Sequence, residues 1–310
     1  MRITHGFNSL NQPHAVTIGN FDGLHVGHQA MLARLLQSAR ERKLPTCVLS
    51  FEPHPREFFS PVDAPARLSS LREKAGWLDQ LDIDRLHVFH FNRAFAALTA
   101  TEFIQQVLVD TLHAQYVLVG DDFRYGAQRA GDFALLASSG PTGGFEAQAL
   151  PTVQLDGERA SSTAVRNALT AGDLAHAARL LDRPYSICGR VVHGDKLGRE
   201  LGYPTANIQL KRNRPPLSGI FAVRVSGMKG QALPGVASLG VRPTIKSAGA
   251  APVLEVHLFD FDTEMYGRRV RVDFLHKLRD EAKYPDLPSL IAQIGRDVDN
   301  AKQYLKQQHG

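Results

Sequence analysis

His14-Ala15-Val16-Thr17-Ile18 runs directly into Gly19-Asn20-Phe21-Asp22-Gly23-Leu24-His25-Val26-Gly27-His28, and this stretch carries the first reading of the chain. The segment His14–Ile18 is short and mostly apolar, which predicts a buried strand. After Gly19 the residues Met31, Leu32, Leu35, Leu36 and Ala39 recur at helical spacing, and Arg40, Arg42 and Lys43 sit where cations suit the negative end of a helix dipole. A strand that turns through a glycine-bearing loop into a helix presents free backbone N–H groups and a positive dipole end, which favour phosphate. Gly27 lets the backbone approach a ligand closely. His25 and His28, three apart at the helix start, point the same way and can donate hydrogen bonds to phosphate oxygens. The rival reading is a pair of histidines that only caps a loop.

Working outward, strand and helix signals alternate through the first half. Thr46–Phe51, Arg85–Phe91 and Gln115–Val119 read as strands, and Ser69–Leu81 as a helix. Thr99 with Glu102 three residues on is a capping box for a helix reaching Leu112. Such alternation predicts an α/β domain of Rossmann-like kind, a parallel sheet with helices on both faces. Ser138–Gly144 reads as a surface loop inside that domain. The pattern changes near Arg183-Pro184. Beyond it Tyr185–His193, Gly219–Val225, Leu233–Leu239, Val253–Phe261 and Arg269–Leu275 read as strands punctuated by Gly and Pro, which suggests a small antiparallel β-barrel. Leu287, Leu290, Ile291, Ile294, Val298, Ala301 and Leu305 mark a closing amphipathic helix. The expected domains are residues 1–183 and 184–310.

Composition narrows the class. The chain has 310 residues, 43% hydrophobic and 22% charged, with 36 Lys and Arg against 31 Asp and Glu, a formal charge of +5. These values exclude a disordered or collagen-like chain. The mild positive charge suits a phosphorylated small molecule as well as RNA, but no long Lys/Arg run supports nucleic acid. Two cysteines, Cys47 and Cys188, exclude a disulfide framework and a four-cysteine zinc site, and both read as small buried hydrophobes. Met1–His14 lacks the apolar core of a signal peptide, and no apolar run approaches the ~18 residues of a membrane span. A cytoplasmic protein is the default expectation, with oligomeric state open.

Four further elements carry chemistry. Gly120-Asp121-Asp122-Phe123-Arg124-Tyr125-Gly126 lies at the carboxyl end of a strand, where open α/β sheets place ligands; an Asp-rich turn is the plainer reading. Ser161-Ser162-Thr163-Ala164-Val165-Arg166 opens a helix, so its hydroxyls and Arg166 suit a phosphate or serve as a simple N-cap. In the second half, Gly194, Lys196, Gly198, Arg199 and Gly202 form a plausible phosphate lid ahead of Tyr203-Pro204-Thr205-Ala206-Asn207. Thr205 and Asn207 face the same way in extended chain, and their oxygens can ligate Mg²⁺ shared with nucleotide phosphates. A glycine-rich hairpin followed by a capping Asn is the alternative. Glu255, inside Leu254-Glu255-Val256-His257-Leu258, reads either as a general base or as a solvent-facing strand residue.

Taken together, these motifs resemble the bacterial bifunctional riboflavin kinase/FAD synthetases over nearly the whole chain. His25–His28, Phe51-Glu52-Pro53-His54-Pro55-Arg56-Glu57, Gly120–Gly126 and Ser161–Arg166 carry the likeness to the adenylyltransferase half. Gly202–Asn207, Gly235–Thr244, Leu254–Phe261 and Phe274–Glu281 carry the likeness to the kinase half. Ser238, where Asn is expected, and Glu264-Met265, where Asp-Leu is usual, are small departures. The resemblance implies phosphorylation of riboflavin to FMN with release of ADP, then adenylylation of FMN to FAD with release of pyrophosphate, with ATP as co-substrate and Mg²⁺ as cofactor in both. It implies that His25 and His28 act at the ATP phosphates with Gly19, Phe21, Gly27, Ser162, Thr163 and Arg166. Asp122 and Phe123 would lie near the flavin or ribose. It further implies Glu255 as the kinase base, Thr205 and Asn207 as metal ligands, Gly194, Lys196, Gly198 and Gly202 around ATP, and Arg279 with Glu281 at the flavin. Neither nucleic acid nor membrane is an expected partner. A different nucleotidyltransferase with a binding barrel, or an RNA-binding regulator without turnover, are the rival functions.

Overall fold

The structure is a computed structural model that describes residues 1–194, 198, 201–210, 214–228, 230–241 and 252–308. Lys196 and Arg199 of the expected lid, and Arg242 to Thr244 of the barrel motif, lie outside the described residues. The chain divides into two compact units, residues 1–65 with 71–161, and residues 66–70 with 162–310.

The first unit is built on β1 (Arg2–His5), β2 (His14–Ile18), β3 (Thr46–Glu52), β4 (Arg85–His90), β5 (Ala114–Gly120) and β6 (Glu146–Leu150). They form one sheet in the order β1-β4-β3-β2-β5-β6, and every neighbouring pair is parallel; a separate antiparallel ribbon pairs β7 (Gln154–Leu155) with β8 (Glu158–Arg159). The central strands are buried on both faces, as near-continuous apolar runs require. Val16, Ile18, Cys47 and Leu49 point into one core with the helical residues Phe103, Val107 and Leu108. Ala15, Val48, Leu86 and Val88 point into the other, against Leu32, Leu35 and Ala39 of the helix Val26–Arg42. Because β3 and β5 flank β2 on opposite sides, the strand order reverses at the carboxyl ends of β2 and β5. That is the position where open α/β sheets bind ligands.

Local signals hold at the Thr99 capping box, where Thr99 Oγ1 accepts from the Glu102 N–H at 3.2 Å and Glu102 Oε2 accepts from the Thr99 N–H at 2.8 Å. The helix it starts continues as a π-helix over Phe103–Thr111. Ser138–Gly144 is not a loop, which corrects the expectation from its Ser and Gly content. A helix spans Phe133–Gly143; Asp132 caps it by accepting from the Leu135 N–H at 3.0 Å, and Leu136 and Gly140 are buried. The Ser138 and Ser139 hydroxyls donate back to the Leu135 carbonyl at 3.0 and 2.8 Å, so capping and packing override weak intrinsic propensity.

In the second unit β9 (Tyr185–Val192), β10 (Ala206–Gln209), β11 (Gly219–Ser226), β12 (Leu233–Val241), β13 (Pro252–Leu258) and β14 (Arg269–Arg279) close a barrel in the order β10-β13-β12-β11-β14-β9, antiparallel throughout. Inward residues such as Phe221, Val223, Leu254, Val256 and Phe274 fill it. Outward Ile220, Ala222 and Val236 pack against Val298, Ala301 and Leu305 of the helix Leu287–Gln307. The helices Ser162–Ala171 and Leu174–Leu181 belong to this unit; the second packs on β14 and β9, and Thr170 Oγ1 donates to the Pro216 carbonyl at 3.2 Å. Cys47 is buried as expected, and burial pushes its thiol up to about 12. Cys188 is only half-buried, because β9 alternation turns it to the barrel exterior opposite Arg271.

Candidate functional site

In the first unit the His25–His28 stretch lies at the carboxyl end of β2. His25 caps the helix Val26–Arg42: its Nδ1 accepts from the His28 N–H at 3.4 Å. The two imidazoles stack with centroids 3.7 Å apart, and Phe21 lies 5.0 Å from the His28 ring. Burial first, then His25 and Lys74, hold the His28 imidazole well below its usual range, so it is neutral at neutral pH. Three buried side-chain atoms here, Thr17 Oγ1, Asn20 Oδ1 and His28 Nδ1, have no hydrogen-bond partner among the described residues. Buried polar groups left unpaired at a helix N-terminus suit a ligand that brings its own oxygens.

The loop that feeds this helix carries a strained backbone held by burial of its side chains. Phe21 and Leu24, both buried, adopt φ of 47° and 48°, a left-handed conformation uncommon for large side chains. Behind the loop Lys74, 5% exposed, donates to Ser50 Oγ at 2.9 Å, and Ser50 Oγ donates to the Asn20 carbonyl at 3.5 Å. Gly19 donates its N–H to the Leu49 carbonyl at 3.0 Å. Gly27 packs between the His25 ring and the Ala160 carbonyl, where an added Cβ would lie 3.1 and 3.2 Å from them.

The Gly120–Gly126 segment follows β5 on the other side of the strand reversal. Asp122 is exposed and ion-paired with Arg159, while Asp121 accepts from the Thr152 N–H and hydroxyl at 2.9 Å each. Phe123 is half-buried and stacks on Tyr125 at 5.4 Å. Ser162, Thr163 and Arg166 begin the first helix of the second unit, where Arg166 Nε donates to the Ala66 carbonyl at 2.6 Å.

One feature escaped the sequence reading. Phe51, Phe58, Phe59 and Phe91 form an aromatic cluster at the carboxyl ends of β3 and β4, with centroids 5.2–5.9 Å apart. Phe59 is 66% exposed, unusual for so large an apolar ring. The motif residues His54 and Glu57 cap the short helix Pro55–Phe59 that presents Phe58 and Phe59.

In the barrel, register gathers the remaining candidates. Asn207 on β10 lies directly opposite Glu255 on β13, and Glu255 directly opposite Ser238 on β12. The three side chains therefore form one row on the barrel exterior. Thr205 immediately precedes β10; His257 Nδ1 bonds to the neighbouring Pro204 carbonyl at 2.9 Å and fixes that turn to β13. Gly194 sits on Asn207 so closely that an added Cβ would fall 2.1 Å from Nδ2. At Gly198 a Cβ would fall 2.5 Å from the Tyr203 carbonyl and 3.1 Å from Thr205 Oγ1, and Gly202 makes the turn before them with φ of 84°.

Two family models divide the chain: one described as FAD synthetase matches residues 7–164, and one described as riboflavin kinase matches residues 181–305. A bifunctional riboflavin kinase/FMN adenylyltransferase of Pseudomonas fluorescens is 50% identical over 305 residues, covering 97% of both chains. The chain belongs to this bifunctional family. Relatives of the same description from Haemophilus influenzae and Escherichia coli are 47% and 46% identical, each over 98% of both chains. A crystal structure described as a macrolide-efflux protein from Streptococcus pneumoniae superposes with a TM-score of 0.80 at 29% identity, covering 95% of this chain and 97% of that one. Among the described residues no helix is long and apolar enough to cross a membrane. The two candidate sites divide as the matched segments do: stacked histidines and aromatic cluster in the synthetase match, the Asn207–Glu255–Ser238 row in the kinase match.

Proposed function

We propose that the Asn207–Glu255–Ser238 row is the centre at which this bifunctional enzyme phosphorylates riboflavin, and that the stacked histidines at the carboxyl end of β2 are the centre at which it adenylylates FMN. The cross-strand register of Asn207 and Glu255 carries the first assignment. Glu255 then accepts the proton of the riboflavin hydroxyl as that oxygen attacks the γ-phosphorus, and ADP leaves. Thr205 and Asn207 supply the neutral oxygens that suit Mg²⁺ shared with ATP phosphates, in the cradle that Gly194 leaves open. When bound, Mg²⁺ offsets phosphate charge. By resemblance, Lys196, Gly198 and Gly202 complete the ATP lid, and Arg279 with Glu281 meets the flavin.

At the other centre the FMN phosphate attacks the α-phosphorus of ATP in line and pyrophosphate leaves. Positioning and charge neutralisation supply the catalysis, with no protein nucleophile needed. The helix N–H groups, His25 and His28 meet the phosphates beside Gly19, Phe21 and Gly27, and the resemblance adds Ser162, Thr163 and Arg166. The half-buried Phe51–Phe58–Phe91 cluster, with the exposed Phe59 beside it, is a fitting platform for a flat isoalloxazine ring. Asp122 and Phe123, at the end of the adjacent β5, suit the ribose or the ring edge. The same proposal places the reaction in the cytoplasm.

Gly194→Ala tests the cradle. The added methyl forces Asn207 aside, and a displacement near 1 Å costs about 10²-fold in rate. Riboflavin phosphorylation should fall by that factor while FMN adenylylation is unchanged, measured on one preparation. Equal loss of both activities, or no loss, would remove Gly194 from the kinase centre.

Truncation tests the division of labour, with residues 1–183 proposed for adenylylation and 184–310 for phosphorylation. A fragment of residues 184–310 lacks the helix Leu174–Leu181, whose buried Leu174, Ala177, Leu180 and Leu181 pack with the barrel unit. Fragment 162–310 should therefore melt several degrees higher than 184–310. Both should convert riboflavin to FMN with ATP and Mg²⁺, and neither should make FAD. A folded 162–310 fragment without kinase activity would overturn the assignment.

A further inference from the structure

The mechanism above leaves the buried carboxylate of Asp297 unused. Asp297, on the helix Leu287–Gln307, is 4% exposed. It receives a forked bond from Arg279 at the end of β14: Nε donates to Oδ1 at 2.9 Å and a terminal nitrogen donates to Oδ2 at 2.6 Å. Gln293, one turn earlier on the same helix, donates to Oδ1 at 2.9 Å. The other terminal nitrogen of Arg279 donates to the Asp280 carbonyl at 2.9 Å, and the guanidinium carbon lies 5.8 Å from the centre of the Tyr284 ring. The contacts to Asp280 and Tyr284 fall in the segment between β14 and the closing helix, and the Asp297 fork ties the start of that segment to the helix.

That segment reaches the kinase row. Glu281 lies over Gly240 on β12, so close that an added Cβ would fall 2.0–2.2 Å from its carboxylate atoms. Gly240 is two residues along β12 from Ser238, which stands opposite Glu255, so it shares the same exterior face. A forked Arg–carboxylate pair fixes the plane of the guanidinium as well as its position. Planar guanidinium groups stack on flat rings, so fixing the plane sets how such a ring can be met.

We infer that Asp297 is a positioning residue for riboflavin phosphorylation: its buried carboxylate sets the plane of Arg279 and holds segment 280–286, with Glu281, against the substrate side of the kinase row. The inference rests on the reading that Arg279 and Glu281 meet the flavin. A purely structural clamp between helix and barrel is the competing role, and it has a different signature. A clamp that fails loosens the whole unit and degrades ATP and riboflavin use together. A positioning residue that fails raises the riboflavin requirement alone.

Steady-state phosphorylation by the full chain separates the two, with Asp297→Asn, Asp297→Glu and Arg279→Gln compared side by side. Loss of charge-assisted bonds of this kind should raise the KM for riboflavin roughly 10–100-fold in Asp297→Asn, with the KM for ATP unmoved. Asp297→Glu, which keeps the carboxylate, should recover part of the loss. FMN adenylylation, measured on the same preparation, should be unchanged. If Arg279→Gln raises the riboflavin KM and Asp297→Asn does not, the inference falls while the reading of Arg279 stands. If Arg279→Gln leaves that KM unmoved, the reading itself falls. Parallel rises in both KM values with a lowered Tm would assign Asp297 to the clamp. Should Asp297→Asn not fold, Gln293→Ala removes one bond to the same carboxylate; it should raise the riboflavin KM in the same direction, and an unmoved KM would overturn the inference.

Discussion

Glu255→Gln should all but stop riboflavin phosphorylation while leaving FMN adenylylation intact. The substitution keeps the volume and one hydrogen-bonding oxygen of the side chain but removes the carboxylate proposed to take the proton. General-base removal costs about 10²–10⁴ in rate. The placement of Glu255 makes the effect selective. It stands on the outward row of β13, between Asn207 on β10 and Ser238 on β12, and not in the core that Leu254 and Val256 fill. The barrel should therefore keep its stability, so a lost rate reports chemistry. Assayed with riboflavin, ATP and Mg²⁺, the variant should form almost no FMN; supplied with FMN, it should form FAD at the normal rate. Normal kinase turnover would make Glu255 an ordinary outward strand residue.

His28→Ala should produce the opposite phenotype: FMN accumulates and FAD does not form. Burial and the stacked His25 ring keep His28 neutral, so under the proposed function it would meet the phosphates as a hydrogen-bonding group and not as a fixed cation. Loss of one donor aimed at developing charge costs about 10²–10³ in rate. His25→Ala is the less clean variant, because the His25 ring also accepts the His28 N–H and caps the helix. Its loss mixes a catalytic defect with a fraying one, worth about 1 kcal/mol for a typical cap. A progress curve with riboflavin as the only flavin distinguishes the cases. Undiminished FAD from His28→Ala would remove it from the phosphate site.

Much of both halves was legible because periodicity and punctuation agree there. β2 begins and ends as its apolar run predicts, and the closing helix begins at Leu287. The failures share a cause. Ser138–Gly144 has the composition of a loop, but Asp132 caps a helix and the buried Leu136 anchors it. The edge strand β1 is largely exposed, so it lacks the apolar run that marks its neighbours. Local sequence also separates what register unites. Asn207 and Glu255 stand far apart along the chain, and only the antiparallel pairing of β10 with β13 makes them neighbours. The aromatic cluster went unread because Phe51, Phe58 and Phe91 come from three segments, each unremarkable alone. Asp297 went unread because an acid in an amphipathic helix ordinarily faces water, whereas this one is 4% exposed.

The left-handed backbone at Phe21 and Leu24 has a thermodynamic cost and a kinetic return. Each such non-glycine residue gives up roughly 1–3 kcal/mol of folded-state stability. Both are anchored by complete burial of large side chains, so core packing holds the loop in a shape it would not take alone. Under the proposed function the ordering entropy of that loop would therefore be lost when the chain folds, not when a nucleotide arrives, leaving binding energy for the reacting phosphates. Glycine at position 24 would relieve the torsional strain but free the loop in the unfolded and folded states alike. Such a chain would tend to trade a stiff, ready cradle for one that each incoming nucleotide has to organise again.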